Sequence, residues 1–405
     1  MLFALTTAFA LSQAWRTVAA IMATPLQADF HLSAQSLGLF AGAFHFAFGV
    51  MQLVMGIGID LHGVRRTVLV AFPVAIAGSV VSSLASSFHM LVLGQVLIGM
   101  GCAPAFLVCT VFISRHFPAS RFAAISGVIL GLGGIGMLIT GTPLAWLIDA
   151  TSWRMGFAAL GVMAALAWLL IWRLVHEPAL DALHPASALP KESLREAFAK
   201  FGALFLLPQT LGIMLLSSVG YASFIALRGL WLGPLLIERH AFSLVQSGNV
   251  ALVMSLGSLI GSPLFGRLDP GLARRRQWII GFSFLRAGVF AMLAMSSSPW
   301  IDVAGPILIG LLSGSLVLQY ADTRAAYPAA LTGRAMGAFT MAMFLGIAAM
   351  QWLTGLAASI ATAHGYDPFT FVMASIAALL AAGAVAFTLL PGPDQGLASG
   401  AEKSD

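Results

Sequence analysis

The chain is built from twelve apolar segments, each about as long as a bilayer crossing requires. A spanning helix needs about 20 mostly apolar residues to cross a hydrocarbon core about 30 Å thick. Short polar connections separate the segments along the whole chain. The pattern predicts an all-α membrane protein with twelve transmembrane helices. The segments cover residues 3–25, 35–59, 67–87, 89–114, 122–148, 153–173, 206–236, 243–266, 277–297, 300–323, 331–360 and 367–391.

Composition and charge support a membrane location. Of the 405 residues, 59% are hydrophobic and 9% are charged, which lies outside the usual range of soluble domains. Lys and Arg concentrate in the connections after the even-numbered segments, whereas the opposite connections carry only Arg154 and Arg239. The positive-inside rule therefore predicts both termini on the cytoplasmic side of the cytoplasmic (inner) membrane. The net charge of +5 then reflects topology, and we expect no nucleic-acid partner.

A polar stretch in the middle divides the chain into two similar halves. At an offset near 210 residues, Phe117-Pro118 falls on Tyr327-Pro328. Internal repeats of this kind are typical of transporters whose binding site lies near the midplane, between the repeats. The predicted domains are an N-terminal six-helix bundle (1–173), a cytoplasmic linker (174–205), a C-terminal six-helix bundle (206–391) and a disordered cytoplasmic tail (392–405). The two bundles should be pseudo-symmetric.

A short motif follows the second segment. The chain there reads GIGIDLHGVRR, and a related stretch, GRLDPGLARRR, stands at the matching place in the second half. The first stretch resembles the signature loop of the major facilitator superfamily of secondary transporters. The matching residues are Gly56, Asp60, Gly63, Arg65 and Arg66.

The resemblance implies a transporter that works by alternating access. It also implies that Asp60, Arg65, Arg66 and, in the second copy, Asp269 latch the cytoplasmic ends of the two halves. The sequence differs from the superfamily pattern at two positions, and these differences limit which residue roles the resemblance implies. Leu61 stands where the superfamily often has Arg, and a second motif, GQVLIGMG, has Gln95 at the usual Arg position. A proton-coupling role of that Arg is therefore not implied here.

Two arginines lie deep in predicted spans. A charge at midmembrane costs at least about 2.5 kcal/mol even on lenient scales, so it should face a partner or a wet cavity. Arg16 in the first segment and Arg228 in the seventh occupy roughly corresponding repeat positions. A guanidinium binds carboxylate or phosphate through a planar fork and stays protonated. We therefore predict a two-arginine clamp for a small anionic organic solute.

The placement of these arginines resembles the organic phosphate, nitrate and organic-anion branches of the superfamily. Further polar and aromatic residues on the helices that should face the cavity are predicted to shape the pocket. These residues are Gln13, Tyr221, Trp231, Gln319 and Tyr320.

The sequence does not fix the roles of three further ionisable residues in the spans. Asp322 is an acid deep in a predicted span, and Arg324 follows it at a spacing that puts the two on different helix faces. Asp322 could carry a coupling proton or join a cytoplasmic gate ion pair. His45 could titrate near neutral pH or be a packed neutral histidine. Arg286 lies in the ninth segment, a peripheral helix in this fold, where bonding to backbone carbonyls is expected.

Other function classes fit less well. The chain shows neither metal-spaced histidines nor a nucleophile elbow, so we expect no enzyme, no cofactor and no metal site. The alternative is a multidrug or cation transporter of the same superfamily, including a copper transporter, which Cys102 and Cys109 would suggest. The expected partners are the bilayer, the anionic solute and possibly a coupling proton, and we expect a monomer.

Overall fold

The computed structural model of this protein describes residues 1–117, 119–176, 202, 204–327 and 329–391. Within these residues every regular element is helical. The twelve helices are α1 (Leu2–Phe30), α2 and α3 (Ala34–Ser83, divided at Gly63), α4 (Phe88–Cys102 and Ala105–His116), α5 (Ala119–Ile139 and Thr142–Ala150), α6 (Trp153–Leu174), α7 (Pro208–His240), α8 (Leu244–Arg267), α9 (Leu272–Met295), α10 (Pro299–Ser313 and Leu316–Ala325), α11 (Ala329–Ala363) and α12 (Pro368–Leu389).

These helices confirm the predicted all-α membrane fold. Eleven stretches of the described residues are long and apolar enough to cross a membrane by length and composition. Helix α1 is not among them, because Gln13 and Arg16 lower its hydropathy. It is instead surrounded by protein, and most residues from Ala4 to Leu26 are buried. Most of the predicted linker and the predicted tail, 392–405, lie outside the described residues.

The two halves repeat each other in backbone detail. Gly63, between α2 and α3, has φ 79° and ψ 172°, and Gly271, at the start of α9, has φ 77° and ψ 172°. A side chain would strain both positions, because positive φ is unfavourable for residues with a Cβ. The degraded second motif therefore keeps the turn of the first. Similarly, Ser33 and Ser243 cap the N-termini of α2 and α8 through their hydroxyls.

Helices α1 and α7 cross at the centre of the bundle. A Cβ on Gly229 of α7 would lie 2.9 Å from the carbonyl oxygen of Arg16, and a Cβ on Gly233 would collide with the carbonyl of Ala20. Because Gly229 and Gly233 have no side chain, the two backbones can touch beside Arg16. This crossing joins the first helix of one half to the first helix of the other.

The halves also meet along α2 with α11 and α5 with α8. Small residues line these contacts, and a Cβ on Gly38 would collide with the carbonyl of Gln351. Hydrogen bonds from Gln35 N to Ser359 Oγ (2.9 Å) and from Thr142 Oγ1 to Asn249 Oδ1 (2.6 Å) add to them. We call this end of the bundle, which carries the connections 31–33, 151–152, 241–243 and 364–367, the closed end.

Candidate substrate site

Arg16 occupies an aromatic site between the two halves. Its side chain is buried, with 7% of its surface exposed. The guanidinium carbon lies 4.8 Å from the ring centroid of Phe48 on α2 and 4.7 Å from that of Phe344 on α11. Each ring face attracts the cation. One aromatic ring from each half thus holds Arg16 at the interface.

Polar groups near Arg16 come from both halves as well. The hydroxyl of Tyr221 lies within hydrogen-bonding reach of the guanidinium, and the thiol of Cys102 and the hydroxyl of Tyr320 lie nearby. Among the described residues, no carboxylate lies within 4 Å of the guanidinium, and Nε of Arg16 makes no hydrogen bond. This buried cation therefore lacks a protein counter-ion in the described part of the chain.

Unpartnered amide groups accompany Arg16 within the membrane. Gln13, Gln319 and Gln351 are buried, and each has at least one side-chain atom without a hydrogen bond among the described residues. Buried polar groups are normally satisfied, so unsatisfied ones indicate a functional constraint or a ligand. Gln351 lies close to Gly229, at the crossing beside Arg16. The amides add hydrogen-bonding capacity to a site whose charge comes from Arg16.

His45 packs at the same interface. Its Nδ1 lies 3.1 Å from the carbonyl oxygen of Ala41, which can only accept, so Nδ1 carries the proton and donates. The ring stacks on Phe344 and meets Phe44 edge to face. Gln351 lies beside the ring, but Nε2 of His45 has no hydrogen bond in the described residues. The imidazole thus presents an unpartnered acceptor near Arg16.

Arg228 has a different environment. It is fully buried, and its Nε donates to Ser255 Oγ at 2.8 Å. Its Nη2 donates to the carbonyl of Met137 at 2.8 Å and to Thr140 Oγ1 at 3.5 Å. In this conformation Arg228 therefore ties α7 to α5 and α8, and only Nη1 lacks a partner among the described residues.

The segment around Arg228 is locally widened. Leu227–Trp231 forms a π-helical turn within α7, a distortion that is often found at functional sites. Trp231 ends the turn, and its Nε1 donates to Thr354 Oγ1 on α11 at 2.8 Å. The turn therefore directs Arg228 and Trp231 to partners on different neighbouring helices.

Asp322 lies away from Arg16, beside a small cavity in the C-terminal half. The cavity has a volume of about 10 Å³, near the minimum for one water molecule. Its lining is mostly apolar and includes Gln319, Thr323 and Phe339. The charged neighbours of Asp322 are Arg275, Arg276 and Asp269. Asp322 thus belongs to a charged cluster at the end of the bundle that is opposite the closed end.

The second signature motif contributes to that cluster. Arg275 donates to both oxygens of Asp269, with Nε to Oδ1 at 3.0 Å and Nη2 to Oδ2 at 2.6 Å. These bonds hold the pKa of the Asp269 carboxyl below its ordinary value. In the first half, Arg65 donates to the carbonyl of Trp172 at 3.1 Å, and Arg66 is exposed.

Two predicted gate residues add little to this arrangement. Arg324 is exposed, and among the described contacts it makes no ion pair with Asp322, as its helical spacing predicts. The side chain of Asp60 lies outside the described residues. A latch between the two halves through these residues stays a prediction.

Three residues of the site were not predicted. Gln351 is a lone amide in an otherwise apolar stretch of α11, a signal that could have identified it. Phe48 and Phe344 carry no comparable signal, because the chain has 28 phenylalanines. Their role depends on the packing of α2 against α11, which only the tertiary structure shows.

The two buried cysteines do not form part of a metal-ligand cluster. Cys102 lies near Arg16, and both Cys102 and Cys109 are free thiols. Within the described residues, no group of three or more His, Cys, Asp and Glu side chains could hold a metal ion.

Comparisons with known proteins identify the fold and its relatives. Among solved structures, the D-xylose–proton symporter superposes with a TM-score of 0.78 at 15% identity, covering 98% of each chain. The nucleoside transporter NupG superposes with a TM-score of 0.75 at 16% identity, covering 96% of this chain and 97% of that one.

Two curated relatives are named as transporters of organic acids. The hexuronate transporter of Bacillus subtilis is 24% identical over 305 residues, which is 75% of this chain and 71% of the relative. A probable sulfoacetate transporter of Cupriavidus necator is 22% identical over 262 residues, covering 63% of this chain and 61% of the relative.

The family assignment rests on a sequence match along most of the chain. The sequence pattern of the Major Facilitator Superfamily matches residues 4–351, and the twelve helices and repeated turn at Gly63 and Gly271 agree with it. The protein is therefore a multi-pass membrane protein that transports a small-molecule solute, not an enzyme. This chain belongs to the Major Facilitator Superfamily of secondary transporters.

Proposed function

We propose that this transporter carries a small organic anion, which binds Arg16. The observation that supports this most directly is the buried guanidinium without a carboxylate partner among the described residues. A buried unpaired charge is expensive, so such residues in membrane proteins usually serve substrate or ion binding. An anion that reaches Arg16 would supply the missing counter-ion.

The surroundings of Arg16 favour an anion over a cation. An organic cation or a copper ion would be repelled by the guanidinium, and no carboxylate of the described residues lies within 4 Å to compensate. Phe48 and Phe344 contact each other, with ring centroids 4.2 Å apart, and both rings lie on the same side of the guanidinium. A carboxylate or sulfonate can approach the guanidinium edge in the plane and bind it bidentately.

The amides and the imidazole extend the site beyond the charge. Gln13, Gln319 and Gln351 can donate and accept hydrogen bonds, and Nε2 of His45 can accept. An organic acid with hydroxyl or carbonyl groups would use these atoms. The names of the two relatives, a hexuronate transporter and a probable sulfoacetate transporter, support the same class of solute.

The predicted clamp and the coupling step form part of this proposal. Arg228 as a second anion ligand stays a prediction, because its free Nη1 would have to turn toward the solute. Asp322, in its cavity near the charged cluster, is our candidate for a coupling proton. We also propose that both termini are cytoplasmic, since exposed Arg66, Arg173 and Arg267 lie at the end of the bundle that carries the termini.

The test is ligand-dependent stability of the purified protein. The panel would contain glucuronate, galacturonate, sulfoacetate, succinate, phosphate, nitrate, xylose, a lipophilic organic cation and Cu⁺. A ligand at a hundred times its Kd adds about 2.7 kcal/mol to the free energy of unfolding, enough for a clear rise in melting temperature. Wild type would be compared with Arg16→Gln, Arg16→Lys and Arg228→Gln, and hits would proceed to uptake by liposomes.

The outcomes separate the solute classes. We expect an organic anion to stabilise wild type, to lose its effect in Arg16→Gln and to keep part of it in Arg16→Lys. Stabilisation by xylose alone would indicate a neutral sugar bound by the amides. Stabilisation by the organic cation or Cu⁺ in wild type and Arg16→Gln alike, with no response to any anion, would show that Arg16 is structural.

A further inference from the structure

Arg286, like Arg16 and Arg228, is a buried arginine without a carboxylate partner among the described residues. It lies on α9 with 1% of its surface exposed, and its Nη1 donates to the carbonyl of Gly220 on α7 at 2.8 Å. Its Nε and Nη2 make no hydrogen bond with the described residues, and no carboxylate among them lies within 4 Å. The expected bonding to backbone carbonyls thus accounts for one of its nitrogens.

Arg228 provides a comparison, because most of its hydrogen-bonding capacity is satisfied in this conformation. Two of its three nitrogens donate to the protein, to Ser255, Met137 and Thr140. Arg286 has the reverse balance, with two nitrogens unpartnered. An unsatisfied buried N–H is costly, and more so when it is charged, so the two unpartnered nitrogens of Arg286 need an explanation.

Gly220 places Arg286 next to the polar groups of the site. A Cβ on Gly220 would lie 2.9 Å from Nε2 and 3.1 Å from Oε1 of Gln319, so the Gln319 amide packs directly on this glycine. The guanidinium of Arg286 and the amide of Gln319 therefore both contact Gly220 of α7. Oε1 of Gln319 also lacks a partner among the described residues.

The next residue of α7 connects this position to Arg16. Tyr221 follows Gly220, and its hydroxyl lies within hydrogen-bonding reach of Arg16. Tyr320 follows Gln319 on α10 and interacts electrostatically with both Tyr221 and Arg16. Arg16 and Arg286 thus approach the short segment Gly220–Tyr221 from two different helices, one in each half.

Nearby acids do not neutralise Arg286. Asp322 lies about one helical turn from Gln319 on α10, toward the end opposite the closed end, and its charged neighbours are Arg275, Arg276 and Asp269. The region between Arg16 and Arg286 therefore carries two positive charges and no acid of the described residues in contact with either.

We infer that Arg286 supplies a second positive charge to the substrate site, which therefore selects an organic dianion with two separated acidic groups over a monoanion. This inference rests on the proposed function and narrows it. One acidic group would bind Arg16, and the other would bind the free Nε and Nη2 edge of Arg286. Gln319, which contacts Gly220 beside Arg286, would donate to the same group.

The experiment compares acids that differ by one charge and little else. The probe pairs are succinate with succinamate and malonate with malonamate, at pH 7.5, where the monoamides carry a single charge. Kd values would be measured on the purified full-length protein, for wild type, Arg286→Gln, Arg286→Lys and the control Arg154→Gln, which removes an arginine at the closed end, outside the proposed site. Elution as one symmetric peak in size-exclusion chromatography would establish that each variant is folded.

The expected result is a loss that depends on the charge of the ligand. In wild type the diacid of a pair should bind more tightly than its monoamide. Arg286→Gln should weaken the diacid about ten- to hundredfold, because a hydrogen bond to a charged group is lost, while the monoamide changes little. Arg286→Lys should keep most of the preference, and Arg154→Gln should keep all of it.

Other results overturn the inference in distinguishable ways. If wild type binds each diacid and its monoamide equally, or if Arg286→Gln and Arg154→Gln reduce the preference alike, Arg286 is not the second ligand, although the proposed anion function survives. If Arg286→Gln does not fold, Arg286→Lys decides, since loss of the preference in that folded variant would contradict a role for the charge. If neither probe pair nor any organic anion binds wild type, the proposed function fails together with this inference.

Discussion

The two halves tie their first and sixth helices together at the closed end with opposite arrangements of charge. In the N-terminal half, Asp29 near the end of α1 pairs with Arg154 at the start of α6, with Oδ2 and Nη1 2.9 Å apart. In the C-terminal half, Arg239 near the end of α7 pairs with Asp367, which caps α12. The positions correspond in the repeat, so the two halves preserve the contact and reverse its polarity.

The two ties differ in burial and in the number of partners. Asp29 and Arg154 are partly exposed, and their other partners are Trp153 and the carbonyl of Ala85. In the C-terminal half, a third helix contributes Asp302 of α10, whose side chain is fully buried. Asp302 accepts from Arg239 at 3.0 Å and lies 2.7 Å from Nε2 of His240.

This comparison shows where the strong contacts of the protein lie. At the closed end, charged bonds join helices within each half, whereas small residues and single hydroxyl contacts join the halves to each other. Alternating access moves repeats or bundles against each other largely as rigid bodies. Ties within a half survive such a motion, and contacts between halves must break during it.

The largest effect is expected from removing the buried acid of the C-terminal half. Asp302→Ala leaves Arg239 and His240 beside an emptied buried site, and breaking a buried pair in this way costs about 3–5 kcal/mol. The melting temperature of the purified protein should fall by many degrees. Arg154→Ala, which breaks the exposed pair of the other half, is the matched control and should cost at most about 1 kcal/mol. Equal losses would show that the difference in burial has no energetic consequence.

A smaller effect is expected at the contact between the halves. Gly38→Ala adds a methyl group that would collide with the carbonyl of Gln351, and overpacking of this kind costs about 1–3 kcal/mol. The cost falls on the closed conformation, so the population open at this end should rise. Gly288→Ala is the control, because a Cβ there meets nothing within 4 Å.

The measurement is labelling of a single cysteine at the closed end. Ser359→Cys, in a chain with Cys102→Ser and Cys109→Ser, places a thiol where Gln35 meets α11. A membrane-impermeant maleimide should label it faster in Gly38→Ala than in Gly288→Ala. Identical rates in the two variants would mean that the close approach of Gly38 to α11 does not control opening.

The sequence predicted the fold because its signals are local and repeated. A spanning helix must satisfy its backbone internally, so each apolar segment of sufficient length predicts a helix by itself. The repeat in the signature motif likewise predicted a matching turn, and Gly63 and Gly271 have the same φ and ψ. Even α1, which falls below the hydropathy of the other spans, was identified by its length and its apolar flanks.

Side-chain partners were harder to predict from the sequence. Arg16 and Arg228 look alike in a sequence, as buried guanidiniums on corresponding helices, yet one lies against two aromatic rings and the other donates to Ser255 and Met137. Arg286 was assigned to a peripheral helix, and its burial against Gly220 depends on how α9 packs on α7 and α10. Distances between helices decide these differences, and helical periodicity alone does not contain them.

The smallest expected effect is the pH dependence of the stability that the exposed Asp29–Arg154 pair contributes. Hydrogen bonds from Trp153 and Arg154 hold the pKa of the Asp29 carboxyl below its ordinary value. The contribution of Asp29 to stability is therefore fully present above its unfolded pKa of about 4 and is lost as the pH falls through the lower folded pKa. Because the side chain is 45% exposed, solvent screening limits that contribution to less than about 1 kcal/mol.

The variant Asp29→Asn isolates the pH-dependent contribution of the Asp29 carboxylate to stability. Its amide keeps an oxygen that accepts from Trp153 but cannot titrate. The difference in the free energy of unfolding between wild type and Asp29→Asn should be small and constant from pH 6 to pH 5, and should shrink toward zero near pH 3. Asp302→Asn, measured in parallel, should show a larger difference at pH 6, since its charge is buried between Arg239 and His240. If the Asp29→Asn difference grows on acidification, the pKa of Asp29 is raised instead of lowered, and the exposed pair opposes the folded state.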